Sequence, residues 1–405
     1  MMDSGNAWIR CGIEMCSRNC GQRAMHHGKF GHNQVIRLSK SCLSAAEKQA
    51  VMAVLDREFL GMGAEVQRFE SALEAFFGRP AVCVNTGTAA LHLALQACGI
   101  SHGDEVLVPS LTYVACFQAV SATGAKPVAC DILHATLTLD WHDAEKRLSP
   151  RTKAVMPVHY SGGAGDLSGI YAFAERHGLR VIEDAAHAFG SSLGGARVGA
   201  AGDVVCFSFD GIKNITSGEG GCVITSDQDV LRKVRDARLL GVEKDSERRY
   251  AGERSWEFDV SAQGWRYHMS DIMAAIGLAQ LGRLAEFSGK RRMLARRYDE
   301  LLSNLPELFV LPHDYTEVVP HIYPVLLPDG TDRRIIRSRM LDAGIQTGVH
   351  YQPNHTLTFF RCGEALPLPV MDNIAPRLLS LPLHPDLSLS DVDYCVKQLI
   401  GALNG

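Results

Sequence analysis

The chain has 405 residues, 46% hydrophobic and 21% charged, with a formal net charge of -4. At roughly 100–200 residues per domain that is enough for two or three domains and a core able to bury a cofactor, and the composition is globular rather than disordered. No basic excess recommends nucleic acid, and no apolar run approaches the roughly 20 residues a membrane helix needs.

Residues 1–33 are polar, glycine-rich and aperiodic, and read as a disordered arm or as leader sequence. Trp8-Ile9 is interrupted by Arg10, so no apolar signal core forms and a cytoplasmic protein is expected. Most of the 12 cysteines, such as Cys83, Cys98, Cys130, Cys206 and Cys222, fall in apolar segments, as in a reducing compartment. Cys11, Cys16 and Cys20 lie near His26 and His27, yet their spacing is not a zinc pattern, and no metal site is expected.

Order is expected from Val35. Ser44 followed by Glu47 predicts a capping box, opening a helix to about Leu60. Candidate strands then follow at 81–85, 104–109, 126–132, 153–159, 179–183, 203–209 and 221–226, with helices between most of them, such as 87–98 and 166–177. Several strands are apolar on both faces, which predicts an α/β layering around a mostly parallel seven-stranded sheet. The last two are joined by a glycine-rich loop, so one is expected to run antiparallel.

Beyond about residue 260 the pattern predicts a long helix over 270–303, short strands near 322–327 and 345–350, and a final helix over 391–402 capped by Ser390 and Asp393. Val392, Cys395, Val396 and Leu399 form its apolar stripe. We therefore expect an arm (1–33), a large α/β domain (34–260) and a smaller α+β domain (261–405). The basic run Lys290-Arg291-Arg292 with Arg296-Arg297 reads as a solvated helix face opposite Phe287, Leu294, Tyr298 and Leu301.

Parallel α/β sheets bind ligands at the carboxyl ends of their strands, so the residues that follow each strand carry the functional reading. After the first comes Thr86-Gly87-Thr88-Ala89, small residues opening an apolar helix, as in a phosphate site. After the second comes Tyr113, an aromatic placed to stack on a flat ring. After the fifth comes Asp184, a buried carboxylate in need of a cationic or protonated partner; Glu183 competes with it but points to the opposite face. After the sixth comes Lys213, between a buried strand and a glycine-rich turn, where a lysine of lowered pKa can form a Schiff base. Together these are the parts that hold pyridoxal phosphate (PLP).

From about Val35 to Leu403 the chain resembles the DegT/StrS family of fold-type-I, PLP-dependent sugar aminotransferases. The resemblance lies in NTGTAALHLAL (85–95), GDEVLVPSLTYVA (103–115), RVIEDAAHAFG (180–190), GDVVCFSFDGIKNITSGEGG (202–221), MSDIMAAIGLAQL (269–281) and GIQTGVHYQPNH (344–355). It implies that Lys213 is the Schiff-base lysine and proton shuttle. It implies further that Asp184 pairs with the pyridine nitrogen, that His187 sits near the ring's phenolic oxygen, and that Tyr113 stacks on the ring. Gly87, Thr88, Ala89 and Ser208 correspond to phosphate contacts. Where relatives read G-Y-N-Y-R-M this chain reads Gly264-Trp265-Arg266-Tyr267-His268-Met269. Arg266 replaces an asparagine that reaches the partner subunit's cofactor phosphate, and either makes that contact or binds substrate phosphate. His321 with Tyr323, and His350 with Tyr351, correspond to a sugar-nucleotide pocket.

The family resemblance also implies a homodimer with its active sites at the interface, L-glutamate as amino donor, and a nucleotide-linked keto-sugar as acceptor. KNITSGEGG lies closer to relatives that aminate C4. The amino-sugar product would serve surface polysaccharide, lipopolysaccharide or glycoside biosynthesis. The alternatives are a cyclitol or other cyclic ketone as acceptor, and a non-catalytic regulatory homologue.

Overall fold

A computed structural model describes residues 35–253, 256–361 and 366–405. The expectations for residues 1–33, including those for Cys11, Cys16 and Cys20, lie outside the described residues.

The larger sheet has seven strands: β1 (Ala81–Val84), β2 (Glu105–Pro109), β3 (Lys126–Cys130), β4 (Thr152–Val155), β5 (Arg180–Asp184), β6 (Val204–Ser208) and β7 (Gly221–Thr225). Their spatial order is β1-β7-β6-β5-β4-β2-β3. Strands β3, β2, β4, β5 and β6 are paired in parallel, whereas β7 is antiparallel to both β6 and β1. The connection 209–220 holds no helix to make a crossover, so β7 returns antiparallel.

Both faces of the sheet are apolar because its strands alternate between two buried layers. In β1, Val82 and Val84 pack with the helix Gly87–Ala97, while Ala81 and Cys83 pack on the other side with Phe69 and Phe207. The same alternation divides the end of β5. Asp184 shares the face of Ile182, toward the helices Gly87–Ala97 and Ala115–Ala122, and Glu183 turns to the opposite face.

A second, antiparallel sheet joins β8 (Phe309–Val310), β9 (Tyr323–Leu326) and β10 (Leu378–Leu381). Its core takes Leu294 and Tyr298 from the helix Leu284–Leu302, and Val392, Cys395, Val396 and Leu399 from the helix Leu389–Asn404. Met269, Ala274 and Phe287 pack instead beneath the large sheet.

Several local expectations are corrected. The first helix carries the expected Ser44–Glu47 capping box but ends at Asp56. The helix expected over 270–303 is two, Asp271–Gly282 and Leu284–Leu302, interrupted at Arg283, whose guanidinium reaches back to Glu47 at 2.8 Å. Residues 345–350 form no strand, only isolated pairings of Ile345 with Ile36 and of Gly348 with Ser380. The final helix begins two residues early, because the S-x-x-D pattern occurs twice. Ser388 and Asp391 make the capping box, while Asp393 pairs with Arg297 at 2.7 Å. Arg291 does not lie on a solvated face. It is buried and donates to the carbonyls of Pro320, His321 and Leu383.

Candidate active site

The carboxyl ends of β1, β2, β5 and β6 converge on a cavity of about 520 Å³. Gly87, Thr88, Tyr113, Asp184, His187, Ser208, Lys213, His350 and Tyr351 all line it. Ala89, Arg266, His321 and Tyr323 do not.

The helix Gly87–Ala97 brings its N-terminus to one wall. Thr86 caps it, its hydroxyl accepting the N–H of Ala89 at 3.0 Å and its carbonyl that of Ala90. That capping corrects the reading of Ala89, whose N–H is used within the helix start. The N–H groups of Gly87 and Thr88 have no partner inside the helix and stand at its positive end. A Cβ added at Gly87 would lie 2.7 Å from the Ser208 Cβ and 3.3 Å from its Cα, so this approach of helix to strand requires glycine.

Asp184, at the end of β5, is buried, with 7% of its surface exposed. One carboxylate oxygen accepts the Ala186 N–H at 3.0 Å and the other the Cys116 thiol at 2.8 Å. Glu183 is more deeply buried still, but its oxygens are engaged by Tyr171 at 2.6 Å and His159 at 2.8 Å behind the sheet. The strand therefore offers one carboxylate to the cavity and closes the other off.

Lys213 follows β6 in an irregular turn held by its own N–H on the Asp210 carbonyl. Burial pushes its ammonium below the usual lysine range, opposed by the charges of Asp184 and Asp210. The His187 imidazole accepts the Ser161 N–H at Nδ1 (3.3 Å), so Nε2 carries the proton and donates to the Tyr351 hydroxyl at 2.9 Å. Burial, reinforced by Lys213, His350 and Arg291, keeps this ring neutral. His350, whose Nδ1 meets the Ser380 hydroxyl at 2.8 Å, is likewise held down by burial and then by Lys213, to about 4.

The ring of Tyr113 is 57% exposed beside the cavity, its centroid 5.5 Å from that of Tyr351. The side-chain amide of Asn354 donates to the carbonyls of Ser110 and Thr112 and so fixes the turn that carries Tyr113.

Two substrate residues are corrected. Tyr323 belongs to the small sheet's core, its hydroxyl on Asp299 at 2.5 Å and its ring 4.5 Å from Tyr298. His321 is buried behind His187, with ring centroids 4.5 Å apart. Arg266 lies in a separate cleft with Asp245, Arg249, Trp256 and His268. Sequence reasoning missed Cys116, Asp210 and Glu219, all three near Asp184 or in the cavity wall. Burial and the charge of Asp210 raise the Glu219 carboxyl.

The donor set fits PLP. Two helix-end N–H groups and the hydroxyls of Thr88 and Ser208 suit a phosphate, Asp184 a protonated ring nitrogen, Tyr113 the ring face, and Lys213 an aldehyde. Fold and site thus define a PLP-dependent aminotransferase. Residues 41–400 match the model of the DegT/DnrJ/EryC1/StrS aminotransferase family, and the chain belongs to that family.

Solved structures agree. The aminotransferase TlmJ from Streptoalloteichus hindustanus is 34% identical with a TM-score of 0.84, over 91% of this chain and 99% of that one. Spr1654 from Streptococcus pneumoniae, in its PMP form, is 28% identical with a TM-score of 0.85, over 91% and 98%. DesI in the presence of its TDP-sugar product is 29% identical with a TM-score of 0.84, over 93% and 95%. The chain is a sugar aminotransferase.

Proposed function

We propose that the protein moves an amino group from L-glutamate to a nucleotide-linked keto-sugar, of the 4-keto-6-deoxy type, for polysaccharide or glycoside biosynthesis. The observation that carries this reading is the convergence of Lys213, Asp184 and the Gly87–Thr88 helix start on one cavity. When bound, PLP supplies an electron sink that stabilises negative charge beside the amine being transferred.

The chain's own residues supply the rest. The helix start, with Thr88 and Ser208, anchors the phosphate, and Asp184 holds the ring nitrogen's proton. Lys213, its ammonium destabilised by burial, would act as general base toward the amino donor in one half-reaction and as general acid toward the acceptor in the other. His187, neutral and with its Nε2 proton on Tyr351, orients that hydroxyl at the cavity wall. His350 and Tyr351 face the acceptor.

The same reading makes the protein a cytoplasmic homodimer, with Arg266 offered across the subunit boundary to the partner's site. It divides the chain into a cofactor-binding domain and a smaller one, expected at 34–260 and 261–405; Met269 and Phe287 pack with the large sheet, which favours a later hand-over, inside the helix Leu284–Leu302. For the described residues, no helix is long and apolar enough to cross a membrane.

The test is amination of a nucleoside-diphosphate 4-keto-6-deoxy sugar with L-glutamate, followed by mass spectrometry, beside a nucleotide-free cyclitol ketone. Conversion of the nucleotide sugar alone is expected. Conversion of the cyclitol alone would move the assignment to the cyclic-ketone reading.

A further inference from the structure

The Asp184 carboxylate has an unusual second donor. Its Oδ1 accepts a backbone N–H, but its Oδ2 accepts from the thiol of Cys116, in the first turn of the helix Ala115–Ala122. The sulfur is itself engaged: the Thr112 hydroxyl lies 3.0 Å away. Because the thiol proton is committed to Asp184, the hydroxyl donates to the sulfur. A chain of donors therefore runs from Thr112 to Cys116 to Asp184, and all three residues are buried.

A buried carboxylate needs donors. A cation at Oδ2 would neutralise it, and a hydroxyl would draw charge off it strongly. A thiol is a weak donor; it satisfies the oxygen and leaves most of the charge in place. Burial and the neighbouring Asp184 push the Cys116 thiol far up, so it stays protonated as a donor throughout the neutral range.

We propose that Cys116 is a positioning residue that, braced by Thr112, sets how strongly Asp184 accepts a proton-bearing ring nitrogen. The proposal rests on the reading of Asp184 as that acceptor. A weaker donor on Oδ2 leaves Asp184 the stronger acceptor, so the ring keeps its proton more firmly. With the ring proton held more firmly, a Lys213 Nζ joined to the cofactor would be less basic and would lose its own proton at lower pH. A stronger donor does the reverse.

The experiment is a pH titration of the visible absorption band of the PLP-loaded protein, in the wild type and in Cys116→Ala, Cys116→Ser and Thr112→Val. The Ala variant should move the midpoint down and the Ser variant up, each by roughly 0.3–1 pH unit given the modest net worth of a hydrogen bond to a charged group. Thr112→Val, which keeps the thiol but removes its own donor, should move it down by less than Ala. Midpoints that do not move, or that move the same way for Ala and Ser, would overturn the proposal, since a packing role does not depend on donor strength. Cys116→Ser and Thr112→Val keep the side-chain volume nearly constant, so the test survives a Cys116→Ala protein that fails to fold. Asp184→Asn is the control. If its midpoint matches the wild type, the reading of Asp184 is wrong and the proposal falls with it; if only that variant shifts, the proposal alone fails.

Discussion

Two aspartates show how differently the two sheets use a carboxylate. Asp299, on the helix Leu284–Leu302 beneath the small sheet, is half-buried and accepts from two buried phenols, Tyr323 at 2.5 Å and Tyr315 at 3.3 Å. Asp184, at the end of β5, has one backbone N–H and one thiol, and the rest of its environment is a 520 Å³ cavity shared with Lys213. The small sheet closes its polar groups on one another, whereas the large sheet leaves its own incomplete at the strand ends. A site is recognised here by partners left for a ligand to supply: Asp184 is the more deeply buried of the two and yet has the weaker donors.

The largest effect expected from breaking this contrast is at Lys213. Lys213→Ala should lower turnover by at least about 10³-fold, the scale of a lost general base, with Tm unchanged or raised because a buried amine is gone. Steady-state amino transfer beside thermal unfolding checks both halves.

The two aspartates come next. Asp184→Ala should cost about 10²-fold or more in turnover with little loss of stability. Asp299→Ala should leave turnover within a few fold yet destabilise by about 1–3 kcal/mol, as two buried phenols lose their acceptor. If the two variants behaved alike, the contrast would fail.

Gly87→Ala sharpens it further, since the added Cβ meets Ser208 at 2.7 Å. Cofactor affinity, read by fluorescence titration with PLP, should fall by about tenfold, because a shift of a few tenths of an ångström at an anion cradle costs on the order of 1.4 kcal/mol.

The smallest effect is in pH. The imidazoles of His350 and His313 are pushed by burial from about 6.5 to about 4 in the folded protein. Between those values the unfolded chain binds more protons, so stability rises with pH through this window. It is fully present above about 6.5 and is lost as the pH falls toward 4. His350→Gln should flatten the slope of Tm against pH in that range, and an unchanged slope would remove His350 from the account.

The core of the fold was legible because its signals are local and redundant. All seven strands of the large sheet lie where apolar runs placed them, and the glycine-rich connection announced the antiparallel strand. Gly87 and Lys213, beyond strand ends, and Asp184, at one, could be placed at one rim by topology alone, whereas Ser208 came only from the family resemblance. What stayed hidden depends on long-range packing. Cys116 in a sequence is a small hydrophobe; only the approach of its helix to β5 makes it a donor. Arg291 sits in a basic run, and its burial comes from carbonyls roughly 30 and 90 residues away, at His321 and Leu383. The family resemblance points Tyr323 toward substrate, but strand alternation turns it into the small core. The misplaced final cap had a local cause: two overlapping S-x-x-D patterns, of which geometry uses the first.

The central claim is that Lys213 and its surroundings load PLP and accept an amino group. The measurement that tests it most directly is the absorbance spectrum of the purified protein with PLP, before and after excess L-glutamate and without any sugar. A visible band that gives way to that of pyridoxamine phosphate on adding glutamate is the predicted result. A protein that gains no visible band with PLP, while Lys213→Ala gives the same spectrum as the wild type, would contradict it.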